Sequence, residues 1–257
     1  MFNEIVNLVR EKKPLVHCIM NPISINQCAN AVLTVGAKPI MAEHPKEVEE
    51  ITNVADALVL NLGNITDARM ESMLISAKTA SENNIPFVVD AVGISCSALR
   101  RDYIKRIIKY KPKVIKGNYS EIKALYDSEY KSAVVDAYFA DIYCTKEIAE
   151  MLAVKFNCII LASGKTDVIT DGKNTFGVQN GTPQLAQITG TGCMLGALCG
   201  CYIFVSPDIY GVLTACGVLG IGGKRAETKA GNGTFAIKLM DELSSDFKEE
   251  EFKIENL

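Results

Sequence analysis

Residues 187–204 read QITGTGCMLGALCGCYIF, a polar, glycine-rich elbow running straight into an apolar stretch of helical character. Gly190 and Gly192 let the backbone approach a ligand closely. A helix starting there points unpaired N–H groups and the positive end of its dipole at whatever sits at the elbow. That geometry suits a phosphate or a developing phosphoryl oxyanion. The first side chain after the second glycine is the thiol of Cys193. A free thiol has a pKa near about 8.5 and a helix N-terminus lowers it, which leaves two active roles: nucleophile, or base accepting a proton from a substrate hydroxyl. Cysteine nucleophiles commonly work with a histidine, and the chain has only His17 and His44, so the base role is the stronger. The plain alternative is a buried packing cysteine, which is the reading for most of the remaining cysteines.

A second group of candidates is acidic. In KGNYSEIKAL (116–125), Asn118 and Glu121 stand three apart at a helix start. That spacing is an ordinary capping box. Lys116 precedes it at a strand end, however, and Asp90 ends a neighbouring strand. Asp90 and Glu121 together could hold a hydrated magnesium ion, which takes one or two carboxylates plus phosphate oxygens. No Walker sequence is present. GVLGIGGKRAE (217–227) is out of register with one and reads as a helix-packing segment, and GNGTFAIKLMDEL reads as a helix start.

These residues need elements to position them. Non-alternating apolar runs at 15–19, 38–42, 57–62, 86–90, 113–117 and 158–163 read as strands. Helical patterns lie between them at 22–35, 45–54, 66–83, 98–110, 118–126 and 131–156. This alternation predicts an α/β fold, a mostly parallel sheet covered on both faces. DVITDGKNTFGVQ (167–179) reads as a hairpin forming an antiparallel edge. Three apolar helices follow (192–205, 208–230, 233–245), then a charged tail expected to be a solvated extension. With no linker or repeat, residues 1–257 read as one domain. Asn21, Asn61, Asp90, Lys116 to Asn118, and Ser163–Gly164 all stand at strand ends, the edge where open α/β sheets bind ligands.

Composition narrows the partners. A net charge of -3 gives no reason to expect nucleic acid or an anionic membrane. Nine irregularly spaced cysteines and two histidines lack zinc-site spacing and suit reduced, mostly buried thiols in the cytoplasm. The N-terminal residues do not read as a signal peptide, and the apolar runs are too short and glycine-rich for membrane spans.

Taken in order, the blocks resemble the hydroxyethylthiazole kinase family of the ribokinase-like superfamily. The likeness runs from PLVHCIMNPISINQCANAVLTVGAKPIMAEHPKEVEEI through ADALVLNLGNI, IPFVVDAVGIS and KVIKGNYSEIKAL to ITGTGCMLGALCG and GNGTF. The resemblance implies a three-layer ribokinase-like fold and a phosphotransferase that moves the ATP γ-phosphoryl group to the hydroxyl of 4-methyl-5-(2-hydroxyethyl)thiazole in thiamine biosynthesis. It puts Cys193 in the place of the catalytic base, with Gly190 and Gly192 lining the anion hole. It implies substrate contacts from Met41, Gly190 and Asn21, the last lying near the phosphate path. It assigns Lys116, Ser163 and Asn118 to ATP, with Asp90 and Glu121 to Mg2+. It also implies a homotrimer with sites shared between subunits. Two departures fall near the substrate end: the usual VHNITN reads VHCIMN, placing Cys18 and Met20, and the usual DPVG reads DAVG, placing Ala91. Three other readings stay open: a kinase for a related alcohol such as hydroxymethylpyrimidine, a non-catalytic ligand-binding relative, and a cysteine hydrolase or transferase.

Overall fold

Strands with no polar alternation need both faces covered, and the fold supplies this with helices on either side of one sheet. The computed structural model describes residues 1–127 and 142–257. The strands are β1 (Leu15–Ile19), β2 (Lys38–Ile40), β3 (Ala57–Asn61), β4 (Phe87–Asp90), β5 (Val114–Asn118), β6 (Ile159–Ser163), β7 (Asp167–Thr170), β8 (Thr175–Val178) and β9 (Ile254–Asn256). They form one sheet in the order β2-β1-β3-β4-β5-β6-β7-β8-β9. Pairings from β2 to β6 are parallel, and those from β6 to β9 antiparallel. All five residues of β3 are buried, as a strand covered on both faces requires.

One core layer packs α1 (Phe2–Lys12), α2 (Ile25–Thr34), α8 (Thr191–Val205), α9 (Ile209–Ala226) and α10 (Asn232–Leu243) against the sheet. The opposite layer holds α3 (Val48–Asn53), α4 (Asp67–Glu82), α5 (Ala98–Ile108), α6 (Tyr119–Tyr126) and α7 (Ile142–Phe156). Helix starts follow local chemistry: Thr66 and Ser97 accept the backbone N–H groups of Arg69 and Arg100, and Asp208 accepts that of Tyr210. The glycines of 217–227 serve packing as expected: a methyl group on Gly220 would strike Asn180, and one on Gly223 would strike Leu185.

Several boundaries differ from expectation. The 22–35 pattern becomes helical only at Ile25, because Asn21 to Ser24 form a turn closed by a Ser24 N–H to Asn21 O bond of 2.9 Å. The 208–230 pattern ends at Ala226. Of the helix expected over 131–156, Ile142–Phe156 is formed and residues up to 141 lie outside the described ones.

The tail is the main correction. It is not a solvated extension: Glu249–Glu251 form a 3-10 turn and β9 pairs with β8, Val178 opposite Ile254 and Phe176 opposite Asn256. Phe252 stacks on Phe2 with ring centroids 4.9 Å apart, and Glu251 accepts from Arg225 Nε at 3.0 Å. Glu249 accepts the backbone N–H groups of Phe2 and Asn3, each at 3.2 Å, and so caps α1. Alternating apolar Phe252 and Ile254 carry the attachment between charged neighbours that stay in water.

Candidate active site

Parallel register explains why the polar strand ends meet. Asn61 stands opposite Asp90, Asp90 opposite Lys116, and Asn118 opposite Ser163. Side chains from four strands are thus delivered to one sheet edge. Asp90 is fully buried. Its Oδ1 accepts from Lys116 Nζ at 2.9 Å and its Oδ2 from Asn61 Nδ2 at 2.9 Å. Asn61 is fixed in turn by the Gly63 N–H on its Oδ1 at 2.9 Å. Glu121, also buried, accepts the Gly93 N–H on Oε1 and the Asn118 N–H on Oε2, each at 2.7 Å. Asn118 Oδ1 accepts the Glu121 N–H at 2.9 Å. The capping box is therefore present, and its carboxylate belongs to the Asp90 cluster as well.

Burial sets the electrostatics. Desolvation raises the Asp90 pKa, against the pull of Lys116 and Asn61. Burial works against the Lys116 ammonium, but Asp90, Cys193 and Glu121 outweigh it and raise its pKa. Glu121 is pushed up to about 7 by burial and then by Asp90, while Lys116 and the two backbone donors oppose the rise. Near neutral pH the cluster thus holds a charged lysine and a glutamate in mid-titration beside an aspartate whose proton affinity burial has raised.

The elbow closes over this cluster. Gly190 has φ +89°, a left-handed conformation that favours glycine, and a methyl group there would lie 2.4 Å from Gln27 Oε1 and 2.8 Å from Ser24 Cβ. It forms the N-cap of α8 with no side chain capping the helix. The first intrahelical bond runs from the Met194 N–H to Gly190 O at 2.8 Å. The N–H groups of Thr191, Gly192 and Cys193 therefore stand ahead of the helix without intrahelical partners. Thr191 Oγ1 pins the elbow by donating to Leu185 O at 2.8 Å. At Gly196 one turn on, a side chain would meet Asp90 Oδ2 at 3.2 Å, so this small residue lets α8 lie directly on the Asp90 strand end. Lys116 Nζ lies 3.6 Å from where a Gly192 side chain would begin.

Cys193 is buried, with 9 % exposure. The expected lowering of its pKa by the helix terminus is overturned. Burial and then Asp90 push the thiol above its ordinary value, while Lys116, Ser24 and Asn61 act in the opposite direction. A carboxylate beside a desolvated sulfur outweighs a helix dipole, which is worth only roughly 0.3–1 kcal/mol at an exposed terminus.

The structure thus brings Cys193, Gly190, Gly192, Asp90, Lys116, Asn118 and Glu121 together. Ser163 lies beside Asn118 across the β5–β6 pairing, its Oγ donating to Gly117 O at 3.3 Å. Asn21 lies beside this group: its Nδ2 is 2.6 Å from where a Gly63 side chain would begin. Met41 stands apart from the polar network, half-buried against the core layer that includes Cys193. Sequence reasoning passed over Ser24, Gln27 and, beyond its place at a strand end, Asn61. The Gln27 Oε1 atom is buried without a hydrogen-bond partner. Its only sequence signal is a polar residue within an apolar helical face.

The mostly parallel sheet with an antiparallel edge and helices on both faces is a ribokinase-like fold. A ribokinase-like superfamily protein from Enterococcus faecalis shares this fold, with a TM-score of 0.66 at 12 % identity over 94 % of this chain and 93 % of that one. The model of the Hydroxyethylthiazole kinase family matches residues 6–249, and the chain belongs to that family. It is 46 % identical over 244 residues to Hydroxyethylthiazole kinase 2 of Clostridium botulinum strain Hall, covering 92 % of each chain. It is 40 % identical to Hydroxyethylthiazole kinase 1 of Methanosphaera stadtmanae, covering 94 % of this chain and 91 % of that one. The structure of a hydroxyethylthiazole kinase protein from Pyrococcus horikoshii superposes with a TM-score of 0.91 at 33 % identity, covering 100 % of this chain and 98 % of that one. The chain is accordingly an ATP-using kinase of thiamine biosynthesis.

Proposed function

We propose that the chain transfers the γ-phosphoryl group of ATP to the hydroxyl of 4-methyl-5-(2-hydroxyethyl)thiazole, with Cys193 receiving the hydroxyl proton. The observation that carries the reading is the stacking of three unpartnered N–H groups, a thiol and a buried Lys116–Asp90 pair at one helix terminus. Phosphoryl transfer has a loose transition state, so positioning and charge neutralisation dominate and a modest base suffices. The N–H groups of Thr191, Gly192 and Cys193 hold the migrating group's oxygens. Lys116 supplies positive charge beside them. Asn118 and Ser163 lie towards the ATP side, and Met41, Asn21 and Gly190 towards the thiazole. Gln27 Oε1, an acceptor left unpaired against Gly190, awaits a donor at this end.

The donor set fits a hydrated Mg2+. Asp90 and Glu121 are two carboxylates facing one lysine, and each oxygen that accepts one hydrogen bond retains a further lone pair. Bound there, Mg2+ would offset carboxylate charge and neutralise phosphate oxygens. The family resemblance implies assembly into a homotrimer, which the mass of the purified chain in solution would test. Nine free thiols suit a cytoplasmic setting, and among the described residues no helix is long and apolar enough to cross a membrane.

Purified chain with ATP, Mg2+ and the thiazole alcohol should release ADP only when the alcohol is present. Cys193→Ala should lower kcat by about 10²–10⁴-fold while thiazole binding survives, and Cys193→Asp should retain turnover. An unchanged kcat in the alanine variant would reduce the thiol to a packing role.

A further inference from the structure

Arg69 of α4 is 3 % exposed, and its guanidinium is spent largely on backbone carbonyls. Nη1 donates to Gly63 O at 3.0 Å and Asn64 O at 2.7 Å, and Nη2 donates to Met20 O. Nε faces Glu43 Oε2 at 3.2 Å without the alignment of a hydrogen bond. These partners lie on three different strand-end loops: Met20 follows β1, Gly63 and Asn64 follow β3, and Glu43 lies beyond β2. The same loops carry Asn21, the Asn61–Gly63 turn and Met41. Desolvating a guanidinium is costly and lowers its pKa. A fold that needed only a tie between loops could use neutral donors.

We propose that Arg69 is a positioning residue for the alcohol half of the active site, fixing the mutual spacing of the three loops that hold the thiazole. The inference rests on the assignment of Met41 and Asn21 to the thiazole. The planar fork matters because its donors diverge at fixed angles and reach separate loops, which a lysine's point charge does not reproduce. Other anchors keep the loop beyond β2 folded when Arg69 is replaced. Ser72 Oγ donates to Glu43 O at 2.7 Å, and the His17 ring meets Ala42 O at 2.9 Å. Arg69 therefore governs spacing more than folding.

The test compares Arg69→Lys and Arg69→Ala with the unmodified chain by steady-state kinetics in both substrates and by thermal melting. Thiazole-dependent turnover of the unmodified chain is measured first; its absence overturns the substrate assignment, and the proposal with it. Loss of one or two charge-assisted bonds predicts a thiazole KM raised roughly ten- to hundredfold, with the ATP KM held within about twofold. Millimolar methylguanidinium should restore part of the thiazole KM in Arg69→Ala, and methylammonium should not. If Arg69→Ala does not fold, Arg69→Lys and Glu43→Gln decide the matter, the latter predicting a smaller rise in thiazole KM alone. Equal changes in both KM values, a lowered Tm with neither KM moved, or equal rescue by the two cations would overturn the proposal.

Discussion

Replacing Lys116 by Met isolates what the buried ion pair does. Asp90 has no exposure and Lys116 only 4 %, so the variant strands a carboxylate with Asn61 as its sole side-chain donor among the described residues. Removing one partner of a buried pair costs about 3–5 kcal/mol. In a chain of this size each kcal/mol moves Tm by about 2–4 °C, so the drop should be roughly 6–20 °C. The sign of the pH dependence follows from Asp90. Without the lysine, burial raises the folded-state pKa of Asp90 further above its unfolded value, so the variant binds a proton that the unfolded chain has released. Its deficit should therefore be smaller at pH 5 than at pH 8. Adding Asp90→Asn should recover most of the melting temperature, because an amide pays no such penalty beside a methionine. Turnover should stay lost in both variants, since neither presents a cation beneath the elbow. The assays are differential scanning fluorimetry across pH and thiazole-dependent ADP release. A deficit under about 1 kcal/mol, or a double variant no more stable than the single, would refute the picture of a desolvated, mutually dependent pair.

Glu121 predicts its own pH signature: with a folded pKa of about 7 against 4.5 for the ordinary group, its contribution to stability is lost as pH rises between those values. Denaturant melts from pH 5 to 8 should show that slope, and Glu121→Gln should flatten it. Gly190→Ala places a side chain in left-handed backbone against Gln27 and Ser24, which should cost about 1–2 kcal/mol from the backbone alone. It should also lower kcat more than tenfold by displacing the N–H groups; an unchanged kcat would deny the elbow its role. Deleting residues 252–257 should lower Tm and expose the edge of β8, read as light scattering on concentration, while kcat at low temperature is retained.

Much of this molecule was legible from residue patterns. Strands such as ALVLNL announce themselves because burial on both faces removes polar alternation. The TDGKN hairpin is readable because Asp171 closes its own turn, accepting the N–H groups of Lys173 and Asn174 at 2.9 and 2.8 Å. Residues 118–121 were legible as a cap for the same local reason. Other features depend on partners far away in sequence. The tail looked solvated because a charge-rich composition hides Phe252, whose partner Phe2 lies some 250 residues away in sequence, and Ile254, which pairs with Val178 of β8. Cys193 was expected to have a lowered pKa because the helix start is local, whereas Asp90, which raises it, comes from another strand. Arg69 gave no signal, since its acceptors are backbone carbonyls that no side chain advertises.

The Glu249 contact with the first turn of α1 has a consequence for synthesis. That helix is made well before its partner, since the carboxylate satisfying its leading N–H groups lies 246 residues downstream of Asn3. At about 5–20 residues per second the wait is roughly 12–50 s. During translation the helix must manage without this partner, and the arrangement locks only after residue 249 has left the ribosome. Closure of this contact thus trails, by the making of most of the sheet, the helix that it secures.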